Sequence, residues 1–114
     1  MVTDAQRETC ERYGVAPVPT PDGVKVGFAR GGSGPVHGLR HPPEGDTAGW
    51  YIWRGALSDA DDFFSPLHAA HLKDEVPEVL PFLALPPGWR FLLAPTYEDV
   101  WYDGLLLDVG TSGD

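Results

Sequence analysis

GWYIWRG (Gly49 to Gly55) and LPPGWRFLLAPTYEDVWYD (Leu85 to Asp103) contain every tryptophan of the chain, four in 114 residues. In the first block Trp50 and Ile52 alternate with Tyr51 and Trp53. That period of two is the mark of a strand, with large side chains on both of its faces. Such a strand is either central and covered on both sides, or offers its second face to a partner. In the second block Trp89, Phe91 and Leu93 alternate with Arg90, Leu92 and Ala94. Pro95-Thr96 then turns the chain back into Tyr97 to Tyr102, which reads as the hairpin partner. Because each indole buries a large area, Trp50, Ile52, Trp89, Phe91 and Leu67 are expected to share the core.

Upstream, Val24, Val26 and Phe28 alternate with Lys25, Gly27 and Ala29, and Val36 to His41 forms a second extended piece. The Gly31-Gly32-Ser33-Gly34 run between them predicts a hairpin loop. A phosphate-cradling loop would need a lysine and a helix start after the glycines, and Pro35 follows instead. Thr3 to Gly14 reads as an amphipathic helix, with Thr3 and Gln6 at capping-box spacing and Gly14 placed to end it. Pro17, Pro19 and Pro21 hold the next stretch extended.

Downstream, Ser58 to Asp62 is an acidic connector. Ser65-Pro66 reads as a helix start, because a capping hydroxyl precedes a proline whose missing N–H is harmless there. That helix is expected to run through Leu67, Ala70, His71 and Leu72 and to stop near Asp74. Pro77 to Leu83 predicts a short helical turn with Val79, Leu80, Phe82 and Leu83 inward. Leu105 to Val109 adds a short edge strand or a last apolar segment. The order predicts an α+β fold: a mostly antiparallel twisted sheet of about five strands with two to three short helices packed on it. Only the link through residues 58–86 looks long enough for a parallel crossover. The expected organisation is one domain over 1–114, with the core in 24–109, the N-terminal helix at 3–14 and a frayed tail at 110–114.

The chain carries 17 acidic against 8 basic residues, a formal charge of −9. That field repels phosphate backbones and disfavours direct nucleic-acid binding, and it steers a basic partner inward. The single cysteine, Cys10, leaves no internal disulfide. Without a signal-type apolar stretch or a membrane-length apolar run, a cytoplasmic monomer that does not engage a membrane is expected.

The histidines fall in two pairs, His37/His41 and His68/His71. Neither pair belongs to a complete metal motif, and no serine sits in a nucleophile-elbow context. No catalytic residue, metal or cofactor is therefore expected. Acidic residues interleaved with aromatic ones give the candidate partner-binding set: Trp53, Asp59, Asp61, Asp62, Tyr97, Glu98, Asp99 and Trp101. Aromatic anchors ringed by charge are the composition of an interface hot spot.

From Val36 onward the chain resembles the bacterial immunity proteins of polymorphic toxin systems, family thirty-three and its relatives. HGLRHPPEG (His37 to Gly45), GWYIWRG, DDFFSPLHAAHL (Asp61 to Leu72) and LALPPGWRFLLAPTYEDVWYD (Leu83 to Asp103) carry the resemblance. It implies an α+β fold without catalytic activity and a role in binding and neutralising a cognate toxin. Acidity would suit an inhibitor that occupies the basic groove of a nuclease-type toxin. The alternatives are a small cytosolic interaction or regulatory module with no toxin partner, and a small metal-dependent enzyme.

Overall fold

The computed structural model describes residues 2–58 and 60–107. Asp59, the end of the last apolar segment and the tail expected to fray lie outside the described residues. Helix α1 spans Asp4–Arg12 and opens with the expected capping box: the Gln6 amide donates to Thr3 Oγ1, and the Thr3 amide donates to Gln6 Oε1. Gly14 follows at φ +71°, a left-handed value suited to glycine. The strands are β1 (Lys25–Phe28), β2 (Val36–Arg40), β3 (Thr47–Arg54), β4 (Ser65–His68), β5 (Trp89–Ala94) and β6 (Tyr97–Tyr102). Short 3-10 turns cover Ala69–His71, Pro77–Phe82 and Gly104–Leu107, and a single helical turn, α2, covers Leu72–Glu75.

The six strands form one sheet in the order β4-β1-β3-β2-β5-β6. All neighbours are antiparallel except β1 and β3, which run parallel. The β5–β6 hairpin turns at Pro95-Thr96 as expected.

Two expectations are corrected. The glycine run does not close a hairpin between β1 and β2, because β3 lies between them. The chain from β1 crosses the end of β3, with the Ala29 amide bonded to Ile52 O and the Gly55 amide bonded to Pro35 O. β3, apolar on both faces, takes the central place where both of its edges can be paired. The parallel pair β1 and β3 is therefore joined through β2 and not through residues 58–86, where β4 instead runs antiparallel to β1 at the far edge of the sheet.

Ser65-Pro66, in turn, does not start a helix. Ser65–His68 pairs with β1 along its whole length, so an edge-strand bond outweighs the local capping signal. Proline is tolerated at such an edge, and pairing sets Leu67 beside Val26 over the core. The helical stretch begins only at Ala69.

The core fills one face of the sheet. Trp50, Ile52, Val26, Val36 and Phe91 pack there against Cys10, Leu72, Val79, Phe82 and Leu85 from the helical layer. Trp89 and Leu67 pack against this cluster but stay partly exposed. Gly38 faces the same side, and a Cβ there would collide with the ring of Phe91. The missing side chain is what lets Phe91 lie across β2 and reach Trp50, with ring centroids 5.5 Å apart.

Candidate partner-binding site

Helix α1 and the Pro77–Phe82 turn cover only one face of the sheet. They are tied to each other and to the following loop by Gln6 Nε2 donating to Leu80 O (2.9 Å) and Cys10 Sγ to Ala84 O (3.4 Å). The other face is laid out by strand alternation, with loop residues packed on part of it. Register lines its side chains into two rows across four strands. One row runs Trp53, His37, Leu92, Asp99, and the next runs Tyr51, Leu39, Arg90, Trp101. Neither Leu39 nor Leu92 joins the core cluster, and both are only half-buried.

The rings on this face organise one another. His37 lies flat on Trp53, with centroids 5.0 Å apart and planes 7° from parallel. Phe64 presents its ring to both Trp53 (5.9 Å, 79°) and Tyr51 (5.1 Å, 75°), and Phe63 packs on Phe64 at 4.8 Å. Trp53 is buried as a result, whereas Tyr51 stays exposed. At the other end Arg90 sits 5.3 Å from the Trp101 ring and is paired with Asp103 at 3.1 Å. Cation–π contact and ion pair together hold the guanidinium over the indole. His41 Nδ1 lies 2.9 Å from Leu106 O, so the Gly104–Leu107 turn covers the β2 end of the face. Burial, and secondarily the Arg90 charge, lowers the His37 pKa below its usual value.

The sequence-predicted set divides by placement. Trp53, Tyr97, Asp99 and Trp101 share this face by strand parity. Asp61 and Asp62 are exposed in the loop that delivers Phe63 and Phe64 to it. Trp53 supports the surface from beneath, while Tyr97 is well exposed. Glu98 has the opposite parity. It faces the helical side, where Arg12 of α1 bonds to it at 3.2 Å. Asp59 lies outside the described residues.

His37, Leu39, Tyr51, Phe63, Phe64, Arg90 and Leu92 were absent from the predicted set. Alternation in GWYIWRG and WRFLLA carries the signal for Tyr51, Arg90 and Leu92. The sequence offers His37 only as half of a spaced histidine pair, and the contacts of Phe63 and Phe64 depend on a loop that no periodicity reveals.

On the helical side a cleft of about 620 Å³ opens between α1, the Pro77–Phe82 turn and the β5–β6 hairpin. Phe82, Pro81 and Leu93 line it together with Glu8, Arg12 and Glu98. Glu78, also at this cleft, is held below the usual carboxylate range by a hydrogen bond from its backbone and by Arg54. Among the described residues no group of three or more His, Cys, Asp or Glu side chains is arranged to hold a metal. His68 and His71 stand with ring centroids 6.3 Å apart. No helix among the described residues is long and apolar enough to cross a membrane.

No curated protein and no solved structure matches the chain. A family model, the Imm33-like domain, matches residues 5–103, which takes in α1 from its second residue, all six strands and both rows of the open face. With nearly the whole chain inside that match, the protein belongs to the Imm33-like family of immunity-protein domains.

Proposed function

We propose that this chain is an immunity protein that binds a cognate bacterial toxin and neutralises it by occupying the toxin's working surface, without chemistry of its own. The observation that carries the reading is the sheet face left open by the helical layer. On it Tyr51, Leu39, Leu92 and Trp101 form a semi-apolar centre, with Asp99 at one margin and Asp61 and Asp62 on the adjoining loop. Such a centre with a charged rim suits a specific protein interface. The formal charge of −9 favours a basic toxin domain, of the kind a nuclease needs to hold phosphates. The protein acts as a cytoplasmic monomer and requires neither metal nor cofactor.

Co-expression tests this reading. The toxin candidate encoded beside this chain is expected to kill cells alone and to be tolerated when this chain is present. Purified protein should then form a one-to-one complex with the toxin and lack hydrolase activity of its own. A neighbour that is harmless alone, or toxicity unchanged by this chain, would remove the immunity reading in favour of an interaction module without a toxin. One tightly held metal ion per chain, lost in His68→Ala, would favour the metal-dependent enzyme.

A further inference from the structure

The two edges of the sheet differ in a way that matters for binding. β4 is four residues long and contains Pro66, which has no N–H to offer along that edge. β6 at the other end is six residues long, contains no proline and keeps an unbroken register with β5 from Tyr97 to Tyr102. No described element pairs with its outer side. Native sheets usually blunt an edge of this kind, because its free backbone groups are a template for another strand.

The register states which groups are free. The Asp103 amide donates to Gly88 O at 2.6 Å, so Asp103 and Gly88 form a bonded pair continuing the hairpin. Bonded and non-bonded pairs alternate along an antiparallel ladder. Trp101 and Asp99 therefore bond to Arg90 and Leu92, while Glu98, Val100 and Tyr102 turn their N–H and C=O groups outward. Charge states what the edge would accept. Glu98 and Asp99 are consecutive and lie on opposite faces, so a strand laid alongside meets a carboxylate on each face. Glu98 already holds a cation of its own chain, Arg12. A second copy of this protein is a poor occupant. It carries the same formal charge of −9, and antiparallel pairing centred on Asp99, with Glu98 opposite Val100, would set the two Asp99 carboxylates directly against each other.

We infer that the β6 edge is a strand-addition site, and that its occupant is an extended, lysine- or arginine-bearing segment of the toxin that extends the sheet through Glu98, Val100 and Tyr102. This rests on the toxin-binding reading and names the edge through which that binding takes place. The added strand would continue both the open aromatic face and the helical-side face, so one segment would engage Trp101 and Asp99 on one side and Glu98 on the other.

Amide exchange measured by NMR on the full chain tests the site. The probes are an octapeptide of alternating lysine and valine, the same peptide with a central proline, and an alternating glutamate–valine peptide, each at millimolar concentration. The lysine peptide should slow exchange at Glu98, Val100 and Tyr102 and shift their amide signals, and the other two should leave them unchanged. Equal response to the proline-bearing peptide, or response confined to other strands, overturns the proposal.

In the toxin complex the same three amides should become protected. Glu98→Pro removes one outward N–H without breaking a bond to β5, so it should weaken toxin binding well beyond Glu98→Gln, which removes only the charge. Intact amide signals for β5 would show that the proline variant is folded. Toxin neutralisation with the three amides unprotected would sink the edge site and leave the immunity role standing. Peptide protection without any neutralisation would do the reverse.

Discussion

Arg40 and Trp50 stack inside the protein, the guanidinium carbon 5.5 Å from the ring centre and neither side chain reaching solvent. No carboxylate forms an ion pair with Arg40 among the described residues. Backbone carbonyls surround it instead: Nε donates to Ala48 O (2.9 Å), Nη1 to Val18 O (2.7 Å) and Leu85 O (2.8 Å), and Nη2 to Pro19 O (3.2 Å). One side chain thus ties the proline-rich segment, the start of β3 and the loop before β5 to the end of β2. Burial pushes its pKa down to about 10, which leaves it charged at neutral pH.

Arg40→Ala should therefore lower stability by about 3–5 kcal/mol, through lost packing and carbonyls left dry. Arg40→Lys should recover only a minor part, because an ammonium cannot bond in the directions of a planar fork. Urea unfolding measures both. A midpoint within error of the parent for either variant would show that the carbonyl clamp does not hold the fold.

The two inward tryptophans should differ. Trp50 is completely buried, and its indole N–H donates to Thr20 Oγ1 (3.1 Å) and Leu83 O (3.2 Å). Trp89 lies near the margin of the core between Tyr13 and Tyr102 and keeps partial contact with water. Trp50→Ala is expected to lose about 3–5 kcal/mol, and Trp89→Ala clearly less. Equal losses in chemical denaturation would contradict the burial difference.

His37 makes stability depend on pH. Its folded pKa is depressed below 6.5 by burial first and by Arg90 second. Between the folded pKa and 6.5 the unfolded chain binds the proton and the folded chain does not, so stability rises with pH across that window and falls on acidification. NMR titration should place His37 below 6.5. His37→Phe should make the melting temperature less sensitive to acidification below that value. A titration at or above 6.5, or an unchanged acid sensitivity, would contradict this assignment.

The rim acids should act on encounter more than on residence. Asp61→Lys combined with Asp62→Lys changes two exposed side chains and should leave the unfolding free energy within about 0.5 kcal/mol of the parent. In toxin binding the association rate should fall and lose part of its salt dependence, with the dissociation rate little changed. Trp101→Ala, which removes the ring under Arg90, should instead speed dissociation. Salt-insensitive association by the parent protein would place the interface on another surface.

Alternation and turn chemistry by themselves determined the capping of α1, the two-faced character of Gly49 to Arg54, the β5–β6 hairpin and the inward Val79, Phe82 and Leu83. Each rests on neighbours a few residues apart, where side-chain period and backbone preference are local properties. Of the candidate site, parity already set Trp53 opposite Trp50, and Tyr97, Asp99 and Trp101 on a common side of their strand. Tertiary structure alone decided that β3 separates β1 from β2, that Ser65-Pro66 joins a sheet edge, that Glu98 turns toward Arg12 and that Phe64, backed by Phe63, packs on Trp53. These outcomes depend on which distant strand satisfies a backbone edge and which face the helices cover. Hydrogen bonding and burial settle such choices over the whole sheet at once, and no window of sequence contains both partners.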